Sequence, residues 1–196
     1  MATSPRRERE RAEREQLIVT TARELAEAEG WDAVTTRRLA ATIEYSQPVL
    51  YSHFTGKEGI MAAAALEGFA ELASHLRRAR AEIRDPRQTL ARIAQAYFEF
   101  VDEKPALYDA MFTLTSDLPF ASPDSPQPLK DGFAELLAAV GPLVPESEAG
   151  TYTETFWAAL HGLITLERSR RLPAADRAAR IALLADRFAT PKGPLA

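Results

Sequence analysis

Apolar residues recur every three or four positions along almost the whole chain, and no stretch alternates apolar and polar residues as a half-buried strand does. This periodicity predicts an all-α protein of about nine helices. A tight trio at the front covers about residues 10–29, 35–43 and the segment after residue 46. Later helices are predicted at about 57–81, 87–103, 105–113, 127–140, 151–172 and 174–189. We therefore expect a small N-terminal domain, 1–58, and a larger helical domain, 59–196.

The first three helices carry recognisable start and stop signals. Gly30 follows the first helix as a left-handed C-terminal cap, and Trp31 can fold back onto its last apolar turn. Thr35 is a good N-cap for the second helix, and Ser46 caps the third. Pro48 falls in the first turn of the third helix, where a missing N–H costs little because that group has no intrahelical partner.

Composition narrows the possible chemistry and compartment. The chain has 196 residues, 46% of them apolar, and contains no cysteine. A sizeable core is therefore possible, while disulfides, thiolate metal sites and cysteine nucleophiles are excluded. The charged N-terminal stretch lacks the apolar segment of a secretory signal, and no apolar run reaches the ~20 residues that cross a bilayer. We expect a soluble cytoplasmic protein without a membrane partner.

Charge is distributed unevenly along the chain. The net charge is −4 and the estimated pI about 5.5, which as a sum argues against a nucleic-acid partner. Between residues 33 and 57, however, Glu44 is the only acidic residue, and it stands among Arg37, Arg38 and Lys57. A second basic group comes earlier and is interleaved with glutamates: Arg6, Arg7, Arg9, Arg11 and Arg14.

The second and third helices, joined by a turn of three or four residues, form a helix-turn-helix pattern. A helix N-terminus normally favours acidic residues, but the first turn after Thr35 holds Arg37 and Arg38. This placement suits a phosphate, because N–H groups and guanidinium groups would converge on it. The third helix presents Gln47, which suits an adenine edge, and Tyr51. A solvated helical hairpin without a DNA role is the alternative at this stage.

The segment VTTRRLAATIEYSQPVLYSHFTGKEGI, preceded by EGWDAV, resembles the DNA-binding head of the TetR family of bacterial transcriptional repressors. The resemblance covers roughly residues 10–60 and constrains residue types in order over two helices and a turn. It implies that Thr36 touches phosphate, that Arg37 reaches a base edge and that residues 47–49 face bases. It also implies that Tyr51, His53 and Lys57 grip the DNA backbone. The full predicted DNA-facing set is Thr35, Thr36, Arg37, Ser46, Gln47, Pro48, Val49, Tyr51, His53 and Lys57.

One residue of the turn departs from the family pattern. Glu44 stands where the family often has glycine. A residue with a side chain at this position must adopt an unusual backbone conformation or relax the turn slightly. The exact placement of the third helix therefore depends on Glu44.

The C-terminal part carries a weaker resemblance. FWAALHGLITLE, residues 156–167, resembles the Trp-x-x-x-His-Gly segment in the regulatory domain of one TetR subgroup. This implies that the last two helices form a dimer bundle and that the middle helices line a ligand cavity. Between two of the predicted helices, the segment SDLPFASPDSPQP, residues 116–128, is rich in Pro, Ser and Asp and predicts a mobile loop. Apolar stripes predict Phe156, Leu160, Ile164, Ile181, Leu184 and Phe188 at the dimer interface. The candidate pocket residues, for which ordinary core packing is the alternative, are Tyr97, Tyr108, Met111, Phe112, Phe133, Trp157 and His161.

No catalytic motif stands out. The sequence lacks HExxH, GxSxG and glycine-rich phosphate loops, and no two histidines lie at i,i+4 spacing. We expect no enzyme activity, no cofactor and no metal. The favoured function is a homodimeric repressor that binds a palindromic operator in double-stranded DNA and is released by a small-molecule effector. The alternative is a helical small-molecule-binding protein without operator control.

Overall fold

The computed structural model describes residues 5–114 and 118–190, and every regular element in these ranges is helical. The elements are α1 (Pro5–Glu29), α2 (Thr36–Thr42), α3 (Gln47–His53), α4 (Lys57–Arg80), α5 (Pro86–Glu103), α6 (Pro105–Asp109), α7 (Gln127–Val140), α8 (Glu146–Arg168) and α9 (Arg177–Ala189). Three 3-10 turns (Trp31–Ala33, Gly141–Leu143 and Ala174–Asp176) and one π-helical turn (Ala110–Leu114) lie between them. The prediction of an all-α fold with nine helices is confirmed for the described residues.

The chain divides into two compact units. The first comprises Met1–Gly68 and Lys104–Pro126, and the second comprises Phe69–Glu103 and Gln127–Ala196. The chain passes from one unit to the other within α4, between α5 and α6, and just before α7. The predicted functional division after residue 58 is a different kind of boundary and stays a prediction.

In the first unit, α1, α2 and α3 form a small three-helix head. Ile18, Leu39 and Leu50, one from each helix, are almost completely buried at its centre. Each of the two shorter helices has only seven residues, so its stability depends on this packing rather than on its own hydrogen bonds. The head is therefore a rigid support for whatever polar groups α2 and α3 expose.

The first unit also contains the start of α4 and the segment from α6 to the π-helical turn. α4 approaches this segment so closely at Gly68 that an added Cβ would lie 2.6 Å from Met111 Sδ. A side chain at residue 68 would force Met111 and the neighbouring Leu107 to shift, so the close approach favours glycine. The prediction of one helix over 105–113 was wrong at its end, because five residues there form the π-helical turn.

In the second unit, α5, α7, α8 and α9 surround a core in which Phe98, Phe156 and Leu160 are buried. Glu135 is also buried, and its two carboxylate oxygens accept hydrogen bonds from the guanidinium groups of Arg77 and Arg80, each at 2.7 Å. Both acceptor oxygens of the buried carboxylate are thus satisfied, which offsets its desolvation.

A second ionic cluster connects α5, α8 and α9 in this unit. Arg177 contacts the carboxylates of Asp102 and Glu167, and these hydrogen bonds raise its pKa further above the ordinary value. Its guanidinium carbon also lies 4.7 Å from the centre of the Phe98 ring. Arg180 adds a bond of 2.6 Å to Glu167. The cluster fixes the start of α9 against its neighbours.

α8 begins and ends earlier than the predicted range 151–172. It begins after Pro145, whose carbonyl accepts the Glu148 N–H at 2.9 Å, and acidic residues in its first turn suit the helix dipole. At its end, Arg170 takes a positive φ of 58°, and the Arg171 N–H bonds to the Leu166 carbonyl at 2.8 Å. This is a Schellman motif without glycine. Because the usual glycine is missing, no residue type in the sequence indicated that the helix ends here.

Other element boundaries agree more closely with the sequence. α7 covers the predicted range 127–140, and α4 stops one residue before its predicted end. α1 begins at Pro5, five residues earlier than expected. Residues 118–126 have no regular secondary structure, as predicted, while 115–117 lie outside the described residues. No helix in the described ranges is long and apolar enough to span a membrane.

Candidate nucleic-acid interface

The turn between α2 and α3 is built around Glu44. Its φ is 57°, and the N–H of Tyr45 bonds to the carbonyl of Ala40 at 2.9 Å. These two features define a Schellman motif that ends α2 and sends the chain into α3. The sequence left two outcomes open at Glu44, an unusual backbone or a relaxed turn. The structure shows the first, and the turn is formed without glycine.

The predicted side-chain cap forms at the start of α2 but not at the start of α3. The Thr35 hydroxyl accepts the Arg38 N–H at 3.2 Å. Ser46 is the N-cap of α3, but its side chain makes no capping hydrogen bond, and Pro48 lies in the first turn. Gly30 has a positive φ of 84° with an extended ψ of 160°, so it is not the left-handed cap that the sequence suggested.

α3 buries one face and exposes the other. Leu50 is buried, whereas Gln47, Pro48 and Tyr51 are exposed, with Tyr51 at 57%. The Tyr51 hydroxyl lies 3.4 Å from Thr36 Oγ1, so the two predicted DNA-facing residues meet across the helix-turn-helix. Val49 is only half-exposed. The exposed face therefore presents an amide, a proline ring and a phenol to solvent.

The two adjacent arginines of α2 have different surroundings. Arg38 forms a two-pronged ion pair with Glu29 of α1, with bonds of 2.9 and 2.5 Å. The hydrogen bonds from Arg38 lower the pKa of Glu29. Arg37 is exposed and has no hydrogen-bond or ion-pair partner within the described ranges. Of the two arginines, Arg37 is therefore the one whose side chain is not engaged, and its contact with a base edge stays a prediction.

His53 and Lys57 are held inside the chain. The His53 ring is only 6% exposed, and its Nδ1 lies 3.2 Å from Glu15 Oε1 on α1. Lys57 Nζ donates to the Trp31 carbonyl at 2.6 Å. Their predicted contacts with the DNA backbone stay predictions.

Sequence reasoning missed a group of contacts between α1 and α6 in the first unit. The Glu27 carboxylate accepts the backbone N–H groups of Ala106 and Leu107, at 3.0 and 2.9 Å. The Trp31 indole N–H donates to the Ala106 carbonyl at 2.7 Å. α6 has Pro105 in its first turn and no cap of its own, so a carboxylate from α1 caps it. Because these partners are far apart in the sequence, no local pattern of residues predicts their contacts.

Two sequence profiles of known families match the chain. Residues 18–64 match the profile described as "Bacterial regulatory proteins, tetR family". Residues 90–188, just over half of the chain, match "Tetracyclin repressor-like, C-terminal domain". The chain belongs to the TetR family. It is a transcription regulator with a helix-turn-helix DNA-binding domain, as the sequence resemblance predicted.

Relatives with curated names carry the same description. An uncharacterized HTH-type transcriptional regulator of Bacillus subtilis, YobS, is 29% identical over 103 residues, which is 53% of each chain. The match thus spans about half the length of that relative. The regulator Rv0681 of Mycobacterium tuberculosis, also uncharacterized, is 27% identical over 152 residues, covering 76% of this TetR-family chain and 68% of the relative.

Solved structures share the fold. A protein of unknown function from Rhodococcus sp. RHA1 has a TM-score of 0.73 at 23% identity, covering 89% of this chain and 92% of the other. A single-residue variant of TetR from Acinetobacter baumannii, in complex with minocycline, has a TM-score of 0.62 at 20% identity, covering 86% and 90%. At these identities the likeness is one of fold.

The candidate pocket residues of this TetR-family chain fall into both units. In the second unit, Trp157 Nε1 donates to the buried Tyr97 hydroxyl at 3.1 Å. The His161 ring lies one helical turn further, with its centre 6.3 Å from that of Trp157. Burial lowers the pKa of His161 and so favours its neutral ring. Phe133 is half-buried on α7 in the same unit.

The other three candidate pocket residues lie in the first unit. Tyr108 and Met111 are buried, and the rings of Tyr108 and Phe112 lie 4.8 Å apart between centres. They occupy α6 and the π-helical turn. Within the described residues, no group of three or more His, Cys, Asp or Glu side chains could hold a metal ion.

The residues predicted at the dimer interface differ in exposure. Phe156, Leu160, Ile164 and Ile181 are buried within the single chain. Leu184 and Phe188 are partly exposed, and Phe188 packs on Phe156 with ring centres 5.1 Å apart. Most of the apolar residues in the stripes of α8 and α9 therefore lie in the core of the second unit. The exposed large apolar side chains on these helices are Leu166, at 38%, and Leu183, at 56%.

Proposed function

We propose that this protein is a homodimeric repressor that binds a palindromic operator through α3 and is released by a small-molecule effector. The observation that carries the proposal is the exposed face of Gln47, Pro48 and Tyr51 on a helix whose opposite face is buried, next to the unpartnered Arg37. Such a face matches the width of the major groove, and Gln47 can pair with an adenine edge through two hydrogen bonds.

The dimer is proposed on the outer face of α8 and α9. Leu166 and Leu183 are exposed there, and a Cβ built on Gly162 would meet no atom within 4 Å. Ala158 and Ala179 are exposed on the same two helices. Small residues allow helices of a second copy to approach closely, and the exposed leucines supply apolar area to bury. Two heads would then read two half-sites of a palindrome.

The effector is proposed to bind in the 59–196 domain, with Tyr97, Trp157 and His161 as its candidate contacts. The three side chains are aromatic, and they also carry polar atoms in the Tyr97–Trp157 hydrogen bond and in the neighbouring His161 ring. This combination suits a largely apolar molecule that carries a few polar groups. The A. baumannii structure, which holds minocycline, supports a small-molecule ligand in this family. To act as an inducer, the molecule must bind the conformation that does not fit DNA more tightly than the one that does.

Coupling to the head is proposed to involve α6. Glu27 and Trp31 tie the head to Ala106 and Leu107 through three hydrogen bonds between 2.7 and 3.0 Å. A displacement of α6 would therefore pull on α1 and on the Trp31–Ala33 turn. Lys57 extends this chain of contacts to the start of α4, because it binds the Trp31 carbonyl. Coupling free energies of about 1–3 kcal/mol are usual for such switches.

The proposal is tested by selecting DNA from a random duplex pool with the purified protein. We expect enrichment of an inverted repeat. Gln47→Ala should relax base preference at one position in each half-site and cost about 1–3 kcal/mol there. Gln88→Ala, at an exposed glutamine of the second unit, is the matched control and should keep the full preference. Enrichment of no inverted repeat would refute operator reading.

A further inference from the structure

The basic segment at the start of α1 is not explained by the helix-turn-helix. α1 begins at Pro5, whereas the match to the family's DNA-binding profile begins at residue 18. The intervening residues 5–17 extend the helix by roughly 20 Å. Every residue from 5 to 14 is exposed except Glu10, which is partly exposed. This extension therefore contributes little to the core and presents its side chains to solvent.

The position of the extension follows from two contacts of α1. Near its C-terminal end, Glu27 binds the backbone of α6. In its middle, Glu15 binds His53, the last residue of α3. Moving along α1 away from α6, the helix thus passes the end of α3 and then continues as residues 5–14. The extension lies beyond the edge of the head at which α3 ends.

Three arginines form one stripe on the extension. Arg7, Arg11 and Arg14 have the spacing i, i+4, i+7, and the next residue of the series is the fully buried Ile18. The stripe therefore continues the face with which α1 packs on the head. Arg7 and Arg14 have no hydrogen-bond or ion-pair partner among residues 5–114 and 118–190.

Two of the four glutamates of the extension, Glu10 and Glu15, pair with arginines. Glu10 binds Arg6 at 2.7 Å, and Glu15 binds both Arg11 and His53. The hydrogen bonds from Arg11 and His53 lower the pKa of Glu15, so this carboxylate stays ionised and paired at neutral pH. The guanidinium groups of Arg7 and Arg14 have no carboxylate partner among the described residues, and the extension, with five arginines and four glutamates between residues 5 and 17, carries a net charge of +1. Arg7 and Arg14 are about 10 Å apart along the helix axis, the axial length of roughly three phosphates of one DNA strand.

We infer that the stripe of Arg7, Arg11 and Arg14 is a second DNA-binding site, which holds the phosphate backbone outside the base pairs that α3 reads. This inference rests on the proposed function, because it requires α3 to lie in a major groove. A duplex in that position passes the edge of the head at which α3 ends, and its flank then runs along the extension. The contact would add affinity without base preference, since arginine contacts to phosphate carry no sequence information.

The test compares two duplexes that contain the inverted repeat selected by the wild-type protein. One ends at the outer edges of the repeat, and the other adds about ten base pairs, one helical turn, on each side. The variant is Arg7→Ala/Arg14→Ala. The matched control is Arg78→Ala/Arg84→Ala, which removes two exposed arginines of the second unit that likewise have no partner in the described ranges.

We expect the wild type to prefer the longer duplex, and the Arg7→Ala/Arg14→Ala variant to lose that preference while it binds the short duplex like the control. On the longer duplex, the plot of log binding constant against log salt concentration should become shallower. Its slope should decrease in magnitude by about 1.8 for each head, because two phosphate contacts are lost. Base preference and melting temperature should match those of the control.

Equal behaviour of the variant and the control on both duplexes would overturn the inference. So would equal weakening of the variant on the short and the long duplex, because the arginines would then act within the repeat. If the wild-type protein enriches no inverted repeat, operator reading itself is refuted, and that result is distinct from a selected repeat whose flanks make no difference.

Discussion

Glu44 shows how a single residue bears on the geometry of the reading head. Its left-handed backbone, with φ of 57°, closes the turn between α2 and α3, and an L-residue is disfavoured there by roughly 1–2 kcal/mol. The identity of the turn residue was visible in the sequence. That the chain accepts the strained backbone, and does not relax the turn, was not visible, because the Tyr45–Ala40 hydrogen bond that holds it depends on how α2 and α3 pack.

Glu44→Gly should therefore stabilise the protein, by up to about 1 kcal/mol, since glycine removes the clash but loses more entropy on folding. Thermal unfolding measures the effect. Ala41→Gly, at an exposed position inside α2, is the control and should destabilise by about 1 kcal/mol. Equal destabilisation by both substitutions would show that the backbone at Glu44 carries no strain.

At the same scale, the structure separates residues that look equivalent in sequence. Arg37 and Arg38 are adjacent and identical, yet Arg38 is committed to Glu29 and Arg37 is not. The helical period turns adjacent residues about 100° apart, so they necessarily meet different surroundings. Which of the two faces α1 is decided by the packing angle of α2, and the sequence pattern does not encode that angle in any local feature.

At the scale of elements, α6 depends on α1 for its cap. Glu27→Gln should weaken the cap, because an amide has one acceptor oxygen where the carboxylate uses two. We expect a loss of about 1 kcal/mol of stability, typical of a removed helix cap. In a Trp157→Phe background, Trp31 is the remaining tryptophan, and its fluorescence should change because its indole partner is Ala106.

Glu24→Gln is the control for this substitution. It makes the same charge change on the same helix, at an exposed residue without a partner in the described ranges. It should leave both the melting temperature and the Trp31 emission unchanged. If Glu27→Gln behaves like Glu24→Gln, the coupling through α6 that we propose has no support.

Element boundaries show where periodicity was sufficient and where it was not. α7 matched its predicted range because Pro128 in the first turn and Gly141 after the last residue bracket an amphipathic stretch. α8 did not match its predicted range. It begins directly after Pro145, ahead of Gly150, and it ends at a turn in which Arg170 adopts the left-handed backbone that glycine usually takes. Termination by a non-glycine residue follows from the contacts that hold it.

At the scale of the whole molecule, the proposed dimer makes a direct prediction. Leu183→Glu should convert a dimer into a monomer, because it places a charge on the exposed apolar face of α9. Sedimentation of the purified protein measures the change, and tight binding to the full inverted repeat should be lost with it. Leu114→Glu, at a leucine that is 46% exposed in the first unit, is the control and should leave the dimer intact.

A Leu183→Glu protein that still sediments as a dimer would contradict the proposed interface. Leu183 is preferred to Phe156 or Leu160 for this test, since those two are fully buried in the single chain. A charge there would unfold the second unit and would not distinguish core packing from association. Sequence periodicity identifies an apolar stripe, but the same stripe serves a core and an interface equally well.

By itself, the sequence determined the all-α class, the family and the position of the helix-turn-helix, because these depend on local periodicity, caps and residue order. It also placed Gln47 and Tyr51 on the exposed face of α3. Only the tertiary structure decided the partners of these groups: His53 contacts Glu15, Arg38 binds Glu29, and the start of α6 binds Glu27. Those contacts join residues far apart in the chain, and their existence depends on the packing of whole helices, which no local pattern of apolar and polar residues specifies.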